Sequence, residues 1–463
     1  MTTPSPARAS DALPVAVLGG GITGLSAAWH LRGAGLPVVV LEAAAREGGA
    51  IGTEMRGGWL HETGPNSLLE GSKAVEELVE QVGLGNRRLY AAPEAKNRYI
   101  VRRGRLVAMP ASPAAFIATR LFSWKAKLRL LSEPFRGPCP PGRDETVSEF
   151  VLRRLGREFL DYAVDPLVGG IYAGDPARLS VRHAFPKLCA LERNHGSLIR
   201  GAIRSRNATG GPRGRIFSFP DGLAELPQAL ARSLGDSVRR RCLVRVVRRV
   251  APDWEVSWES GGNRAAERFS AVVCALPSDA LQVLQFEGVP ASGGLRALPP
   301  MEQPPVVSVF TGFRRGDVTH PLDGFGLLAP AAERRRILGT LFSSTLFPGR
   351  APEGCVALTS FVGGARQPEL AGLGDNELLL QVRAELESLL GVRAAPEWAE
   401  LRRWPRAIPQ YTLGFGGREN AYAAMEADAP GLFIGGNCRD GISLSQCIES
   451  GKRMAAAVSS AGP

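Results

Sequence analysis

Two stretches decide the fold of this 463-residue chain: VAVLGGGITGL at Val15–Leu25 and VVVLE at Val38–Glu42. The first is an apolar, strand-like run that meets a Gly-x-Gly-x-x-Gly turn formed by Gly19, Gly21 and Gly24. Gly19 permits the tight turn, Gly21 lets the backbone approach a pyrophosphate, and Gly24 allows a helix to lie close to the strand. The second apolar run ends in an acid at a spacing of about 20 residues, which is typical of the βαβ dinucleotide-binding fingerprint.

The acid at the end of the second run restricts the dinucleotide. Glu42 is placed to accept hydrogen bonds from both ribose hydroxyls, and it would repel a 2′-phosphate, which disfavours NADP. A second glycine doublet follows at once in REGGAIGT, Arg46–Thr53, where backbone can approach the far half of a dinucleotide and Arg46 is available to a phosphate. The fingerprint alone leaves NAD and FAD open; this doublet and a distant turn at Gly436 favour FAD.

Composition describes a large protein of ordinary globular type. The chain is 44% hydrophobic and 22% charged, its length predicts two or three domains, and no apolar run reaches the roughly 18 residues needed to span a bilayer. Residues 1–12 are rich in Ser, Thr, Pro and Ala and are predicted to form a disordered leader. The seven cysteines and five histidines show no disulfide or metal spacing, so we expect a reducing compartment and no metal site.

A net charge of +11 would attract nucleic acid, anionic lipid or an acidic small molecule. Nucleic acid ranks last because no aromatic residues are interleaved with the basic clusters. Phe116–Phe135 places aromatic and aliphatic residues beside Arg and Lys, which predicts a helix lying in a membrane interface, with core packing as the alternative. Asp165–Pro176 is rich in helix breakers and has no periodicity, so we expect it to pack tightly or line a site. Residues 204–215 are predicted to form a basic loop.

Later segments return to the nucleotide-binding pattern. Phe217–Gly222 opens a helix with leucines along one stripe, and Ala271–Pro277 is a buried strand ended by proline. Several strand-like runs between Val306 and Phe361 predict one mixed sheet. Leu432–Asn437 is a last buried strand that runs into a glycine turn, and Ser443–Val458 is the closing helix.

A set of colinear motifs identifies a family. From about Pro14 to the C-terminus the chain resembles the oxygen-dependent protoporphyrinogen oxidases, the FAD-containing branch of the amine oxidase superfamily. The early glycine motifs are shared across the superfamily, whereas YAGDP, GTLFSS and IPQY are narrower. The matching segments are GGGITGLSAAWHL, LEAAAREGG, HETGPNSLL, GGIYAGDPARLSV, FSFPDGLAELPQAL, GFGLLAP, LGTLFSS, IPQY and GNCRDGISLSQCIESG.

This resemblance implies an α/β fold with α+β elements in three parts. They are a Rossmann-like FAD-binding domain, a mixed-sheet substrate domain and a helical membrane-binding domain. The expected ranges are 13–91, 216–280 and 422–463 for the first, 92–109, 197–215 and 281–421 for the second, and 110–196 for the third.

The resemblance also implies the site. Arg98 would pair with a propionate, Leu328 and Leu341 would enclose a pyrrole ring, Phe361 would pack on another ring, and Gly170 would face the substrate. Cofactor contacts would come from Gly19, Gly20, Gly21, Ile22, Thr23, Gly24, Glu42, Arg46, Gly49, Ala50, Ile51, Gly52, Thr53, Val244, Asn437, Ile442, Ser443 and Leu444. Cys438 lies where some superfamily members attach flavin covalently, but its local sequence resembles the noncovalent branch, so we expect noncovalent FAD. No side chain stands out as a catalytic base, which leaves flavin N5 as the hydride acceptor.

The implied reaction oxidises protoporphyrinogen IX to protoporphyrin IX in three two-electron steps, with oxygen as acceptor and hydrogen peroxide released, in haem biosynthesis. Coproporphyrinogen III is the alternative substrate, because the sequence does not say whether further arginines reach the pocket mouth. A non-catalytic binding protein that keeps the FAD fold is the alternative of another class. The expected partners are the porphyrinogen, oxygen and an anionic membrane surface at the inner face of the cell membrane, with a homodimer left open.

Overall fold

The computed structural model of the protein describes residues 12–137, 139, 142–208 and 214–461, without the side chains of 205–208. Apart from Ala12, the predicted leader lies outside these residues. Twenty-one strands are described there: β1 Val15–Leu18, β2 Val38–Leu41, β3 Thr53–Arg56, β4 Trp59–Glu62, β5 Leu68–Leu69, β6 Leu89–Tyr90, β7 Asn97–Arg102, β8 Arg105–Ala108, β9 Ile216–Ser218, β10 Val238–Arg239, β11 Leu243–Val250, β12 Asp253–Ser260, β13 Asn263–Phe269, β14 Ala271–Cys274, β15 Gln285–Glu287, β16 Val306–Arg314, β17 Gly324–Leu328, β18 Gly339–Leu341, β19 Cys355–Gly363, β20 Trp398–Trp404 and β21 Leu432–Ile434.

The same part of the chain contains seventeen α-helices, of which the longest are the last one and the helix between β19 and β20. They are α1 Ile22–Gly33, α2 Lys73–Gln81, α3 Pro113–Ala118, α4 Trp124–Leu131, α5 Val147–Arg154, α6 Arg157–Phe159, α7 Asp165–Tyr172, α8 Val181–Ala184, α9 Pro186–His195, α10 Leu198–Ala208, α11 Glu225–Leu234, α12 Ser278–Val283, α13 Ser292–Ala297, α14 Ser343–Leu346, α15 Asp375–Leu390, α16 Phe415–Asp428 and α17 Leu444–Ala461. Among them, none combines the length and apolar character that crossing a bilayer would require.

A five-stranded parallel sheet forms the first layer, in the order β10-β2-β1-β14-β21. Its central strands are buried apolar runs, as expected for a parallel sheet that is covered on both faces. One face packs on α1, α2, α11 and α17, and the other on a four-stranded sheet, β13-β12-β11-β15, with α16. The predicted nucleotide-binding fold is therefore confirmed, with strands from three distant parts of the chain side by side.

The second layer is a mixed sheet of seven strands, β20-β16-β19-β18-β17-β7-β8. All neighbours are antiparallel except β17 and β7, which run parallel. One face is closed by α15 through Val309, Leu327, Leu358 and their neighbours. The other face is turned towards α7 and the β3–β4 hairpin, and this face is the one that matters for the site.

Three helical segments differ from the sequence predictions. Asp165–Tyr172 is a helix although it contains one proline and two glycines, because Asp165 Oδ2 accepts hydrogen bonds from Ala331 N at 2.7 Å and from an Arg366 Nη1 at 2.8 Å. The predicted helix across 116–135 is two helices, α3 and α4, each begun by a serine side-chain cap. In the predicted loop 204–215, helix α10 continues through Ala208, and 209–213 lie outside the described residues.

Packing also bears on the expected domain limits. α10, which was placed with the substrate domain, packs on α9 of the helical region. Its first residue, Leu198, also donates a backbone hydrogen bond at 3.0 Å to Glu133 of the same region. Residues 281–297, also placed there, contribute Leu281 and Leu295 to the core of the parallel-sheet layer, and Ala421, the last residue of that range, packs against the same core. Each of these segments therefore packs against a part of the molecule other than the one to which the expected limits assign it.

Candidate functional site

The first glycine turn is closed on one side and open on the other. A Cβ added to Gly24 would lie 1.9 Å from Gly19 O, so α1 crosses β1 at a distance that only glycine allows. A Cβ added to Gly21 would meet nothing within 4 Å. α1 starts at this point without a side-chain cap and without an acid in its first turn. Its unpaired N–H groups and the free space at Gly21 therefore form a cradle that fits a pyrophosphate.

Glu42 stands at the end of β2 and holds the turn. Its Oε2 accepts a hydrogen bond from Gly20 N at 2.6 Å, and its Oε1 accepts one from Ala44 N at 2.7 Å. Each oxygen keeps a lone pair, so the carboxylate can still accept from a ribose hydroxyl. Cys242 N donates to Glu42 O at 2.8 Å, which brings the start of β11, with Val244, next to this position.

The side chain of Arg46, predicted to contact a phosphate, makes hydrogen bonds within its own loop. Its guanidinium donates to Ile51 O at 2.7 Å and to Gly49 O at 3.0 Å. The loop turns back on itself at Gly48 and Gly49, with φ of 98° and 58°, and this directs its carbonyls inwards. Gly48 N donates to Gly20 O at 2.8 Å, so Arg46 shapes the second glycine loop against the first.

The last strand and helix complete this end of the molecule. A Cβ on Gly436 would lie 3.3 Å from Thr23 Oγ1, and a Cβ on Gly451 would lie 2.4 Å from Thr23 O. The glycine turn after β21 and helix α17 are thus in direct contact with the start of α1. Asn437, predicted as a cofactor contact, therefore follows a glycine that lies against α1. Of the predicted segment 442–444, Leu444 packs on the core that contains α1, and Ile442 packs on the core of the helical region.

Tyr411 supports the C-terminal turn, a role that the sequence did not reveal although the IPQY motif marked the residue. Its buried hydroxyl donates to Asn437 O at 2.8 Å and accepts from Gly441 N at 2.9 Å. Burial raises the pKa of this phenol well above its ordinary value, so the hydroxyl remains a donor. The neighbouring Cys438 is packed in the core, where burial raises the pKa of its thiol to about 12. A buried, protonated thiol is poorly suited to covalent attachment of a flavin.

Four of the five predicted substrate residues lie on one face of the mixed sheet. Gly326 pairs with both Arg98 and Leu341, and one step along the strands Leu328 pairs with Gly339, which in turn pairs with Phe361. Residues in register and two positions apart share a face of a sheet. Leu328, Leu341 and Phe361 are each half-buried. Residues that alternate with them along the strands, such as Leu327 and Val362, point to the opposite face and are buried under α15.

The fifth residue, Gly170, faces the same surface from α7. A Cβ at Gly170 would lie 2.7 Å from Leu328 Cδ2, so glycine lets the helix approach this leucine. α7 is fixed at its start by Asp165 and at its end by Gln410, whose Nε2 donates to Tyr172 O at 2.8 Å. The structure therefore brings all five predicted substrate residues to one region, between the mixed sheet and α7.

Arg98 is an exposed cation of this face. Its Cζ lies 5.6 Å from the ring centre of Phe325, and among the described residues no acid pairs with its guanidinium. Arg102, two residues along the same strand, is instead stacked on Tyr162 at 4.1 Å and lies 3.5 Å from Glu158. Arg98 is therefore free to bind a carboxylate, and Arg102 is engaged.

A buried acid adjoins the face and was not predicted. Glu62 lines a small cavity together with Leu341, and it accepts hydrogen bonds from Thr53 Oγ1 at 2.6 Å and from Leu223 N at 2.9 Å. Arg350 Nη2 lies 3.6 Å from Glu62 Oε1. Burial raises the pKa of Glu62 to about 7, although these partners oppose the shift. The HETGP motif was the sequence signal for this position.

Comparison with known proteins identifies the family to which the chain belongs. Residues 22–459 match the family described as flavin containing amine oxidoreductase. Protoporphyrinogen oxidase 2 of Arabidopsis thaliana is 34% identical over 471 residues, covering 95% of this chain and 92% of that protein. Coproporphyrinogen III oxidase of Bacillus subtilis is 28% identical, covering 96% and 97%. A crystal structure from Exiguobacterium sp. 255-15 has a TM-score of 0.80 at 24% identity, covering 97% and 99%, which shows the shared fold. The chain therefore belongs to the protoporphyrinogen oxidase family of flavin-containing amine oxidoreductases, and its cofactor is FAD.

Proposed function

We propose that the protein oxidises protoporphyrinogen IX to protoporphyrin IX, with oxygen as the electron acceptor and hydrogen peroxide as the second product. The observation that carries this proposal is the half-buried apolar face of Leu328, Leu341 and Phe361 with the free guanidinium of Arg98 beside it. A porphyrinogen is a flexible apolar macrocycle with carboxylates along one edge. An apolar slot with a cation at its mouth matches both features.

The chain's own residues bind and orient the substrate. Arg98 binds a propionate through its two-pronged guanidinium, and the leucines and Phe361 enclose the pyrrole rings. Bound FAD would supply the redox chemistry, as the acceptor of a hydride from a methylene carbon of the macrocycle. Three two-electron oxidations remove six electrons and six protons from the macrocycle and reduce three molecules of oxygen to hydrogen peroxide. The apolar residues of the face carry no acid or base, so we assign no catalytic side chain.

The cofactor assignments follow the geometry of the two glycine turns. Gly21 and the start of α1 receive the pyrophosphate, Glu42 the ribose, and the turn after β21 the flavin end of the dinucleotide. Arg46 acts indirectly, by holding Gly49–Thr53 in shape. FAD is held noncovalently, since the Cys438 thiol is buried in the core. We also propose that the parallel-sheet layer is the FAD domain and the seven-stranded sheet the substrate domain.

Protoporphyrinogen is preferred to coproporphyrinogen because of the two arginines of β7. Coproporphyrinogen III carries four carboxylates rather than two, and a matching pocket would need more free cations at its mouth. On this strand Arg98 is free, whereas Arg102 is held by Tyr162 and Glu158. Coproporphyrinogen III remains the second candidate, because the Bacillus subtilis relative bears that name.

The helical region supports a membrane-surface location. Trp124, Leu128, Leu131 and Phe135 are between 65% and 84% exposed, a concentration of large apolar side chains that water does not favour. Lys125 is exposed beside them, while Lys127 turns inwards and donates to Ile117 O at 2.6 Å. We propose that this surface lies in the headgroup region of an anionic bilayer, at the inner face of the cell membrane.

Steady-state oxidation of both porphyrinogens in air tests the proposal. Purified protein loaded with FAD should produce porphyrin fluorescence from protoporphyrinogen IX faster than the uncatalysed background, with peroxide formed in step. A clear preference for coproporphyrinogen III would overturn the substrate assignment. A protein that binds FAD and oxidises neither compound would overturn the enzyme and support the binding-protein alternative. Boiled protein with free FAD is the control.

A further inference from the structure

A histidine and two glutamates converge at the β20 edge of the mixed sheet, on the same face as Leu341, because one row of paired residues runs from Leu341 through Thr359 and Phe310 to Glu400. Glu54 of β3 and His61 of β4 are direct antiparallel partners, so their side chains lie on the same face of the hairpin. Glu400 of β20 approaches from the other layer, and its Oε2 lies 3.9 Å from His61 Nε2. One candidate ligand atom from each residue lies within 4.8 Å of the others, the single such group of three or more in the described part of the chain.

The side chain of His61 is buried and has no hydrogen-bond partner among the described residues. Its side chain is 5% exposed, it is wedged between Phe310 and Trp398 with ring centres 4.3 and 5.1 Å away, and Nδ1 has no described partner. Nε2 points at Glu400 from beyond hydrogen-bond distance.

The two carboxylates already attract a cation. Arg56 reaches both of them, with Nη1 3.1 Å from Glu400 Oε1 and Nη2 3.4 Å from Glu54 Oε2. Its side chain is 65% exposed, so water competes for it and these ion pairs contribute little. Glu54 and Glu400 are themselves partly exposed, at 42% and 21%, which leaves room for water ligands.

We propose that Glu54, His61 and Glu400 bind a divalent transition-metal ion, with Zn²⁺ as the best match, in place of the Arg56 guanidinium. One imidazole and two carboxylates are a ligand set that suits this class of ion. The ligand atoms must close from 4.8 Å, and the exposed side chains of both glutamates can make that movement. The sequence did not predict the site because Glu400 is more than 300 residues from its partners. The ion would tie the β3–β4 hairpin to the edge strand of the substrate layer.

Titration calorimetry of the FAD-loaded protein with Zn²⁺ tests the site, and Co²⁺ provides a spectroscopic probe. We expect one ion per chain and, because bound metal stabilises the native state, a higher melting temperature. Glu400→Gln and Glu54→Gln should each weaken binding by about tenfold or more. Arg56→Gln should tighten it, an effect that a purely structural role for this cluster would not produce.

Glu259→Gln is the matched control, because this glutamate also pairs with two arginines on a strand, Arg245 and Arg264, but has no histidine beside it. It should bind Zn²⁺ like the wild type. The inference is overturned if the wild type takes up no ion at micromolar concentration. It is equally overturned if both glutamine variants at Glu54 and Glu400 bind as the wild type does, which would place the ion elsewhere.

Discussion

Gly21 and Gly24 lie in one motif, yet the structure predicts opposite defects when each is changed to alanine. At Gly24 the new Cβ would lie 1.9 Å from the backbone oxygen of Gly19, which cannot rotate away. Alanine gains about 1 kcal/mol of helix propensity there. Overpacking costs about 1–3 kcal/mol, and a contact this short belongs at the upper end, so the clash dominates. We expect Gly24→Ala to lower the melting temperature of the apoprotein.

Gly21→Ala should leave the apoprotein unchanged. Gly21 has φ −71° and ψ 175°, which alanine adopts without strain, and the added Cβ meets no protein atom within 4 Å. It does occupy the space in which we place the pyrophosphate. A similar steric cost of about 1–3 kcal/mol would weaken FAD binding by about 5- to 150-fold.

The assay combines thermal unfolding of the apoprotein with titration of FAD by quenching of flavin fluorescence. Gly33→Ala is the control, because Gly33 ends α1, its φ is not positive, and its Cβ would enter open space. That variant should be slightly more stable, by about 0.5–1 kcal/mol, with wild-type FAD affinity. If Gly21→Ala binds FAD as tightly as the wild type, the cradle is not the pyrophosphate site and the reasoning fails.

Three further changes test the substrate face, the buried acid and the apolar helix surface. Arg98→Ala should raise KM for the porphyrinogen by about 10- to 100-fold, because a charge-assisted hydrogen bond is lost. Arg268→Ala, at an exposed position of β13 in the four-stranded sheet, should stay near wild type in the same steady-state assay. Glu62 has a folded pKa of about 7, above its ordinary value, so it contributes stability that is fully present below about pH 4.5 and lost as the pH rises through 7. Glu62→Gln should therefore flatten the stability difference between pH 4.5 and 8 by on the order of 3 kcal/mol in chemical denaturation, and an unchanged slope would contradict the assignment. Trp124→Ser with Leu131→Ser should reduce flotation with anionic vesicles by about tenfold or more, and a wild-type flotation profile would exclude this surface.

The parallel sheet could be predicted because its signal is local. β1 and β2 are short apolar runs beside a glycine turn, and β14 and β21 repeat the pattern further along the chain. Their order could not be predicted, since Val15 pairs with Ala271 across a gap that no local pattern encodes. The division into α3 and α4 could have been predicted from the sequence. Ser112-Pro113 and Ser123 are typical helix N-termini, but a prediction based on apolar content alone does not use them.

The candidate site, unlike the parallel sheet, could not be predicted from local sequence patterns. Arg98, Leu328, Leu341 and Phe361 were chosen from a family resemblance, and alternation along a strand cannot say which of its two faces will be open. The structure answers this through α15, which buries the odd-numbered positions of β16 and the even-numbered positions of β19 and leaves the other face to α7. α7 itself was missed because its glycines and proline lower helix propensity, and contacts with distant residues overrule that preference.

Two of the narrow motifs, YAGDP and IPQY, are joined to each other and to the C-terminal glycine turn by hydrogen bonds. Gln410 of IPQY donates to Tyr172 O of YAGDP, and Ser180 N donates to Tyr411 O at 2.8 Å, so the end of α7 is fixed to the 408–411 segment. The hydroxyl of Tyr411 then holds both Asn437 and Gly441 of the C-terminal turn. A single chain of hydrogen bonds thus runs from the helix that faces Leu328 to the turn that lies against α1. Since the helix borders the proposed substrate face and the turn borders the proposed cofactor cradle, these motifs set the distance between the two, which is the quantity that hydride transfer depends on most steeply.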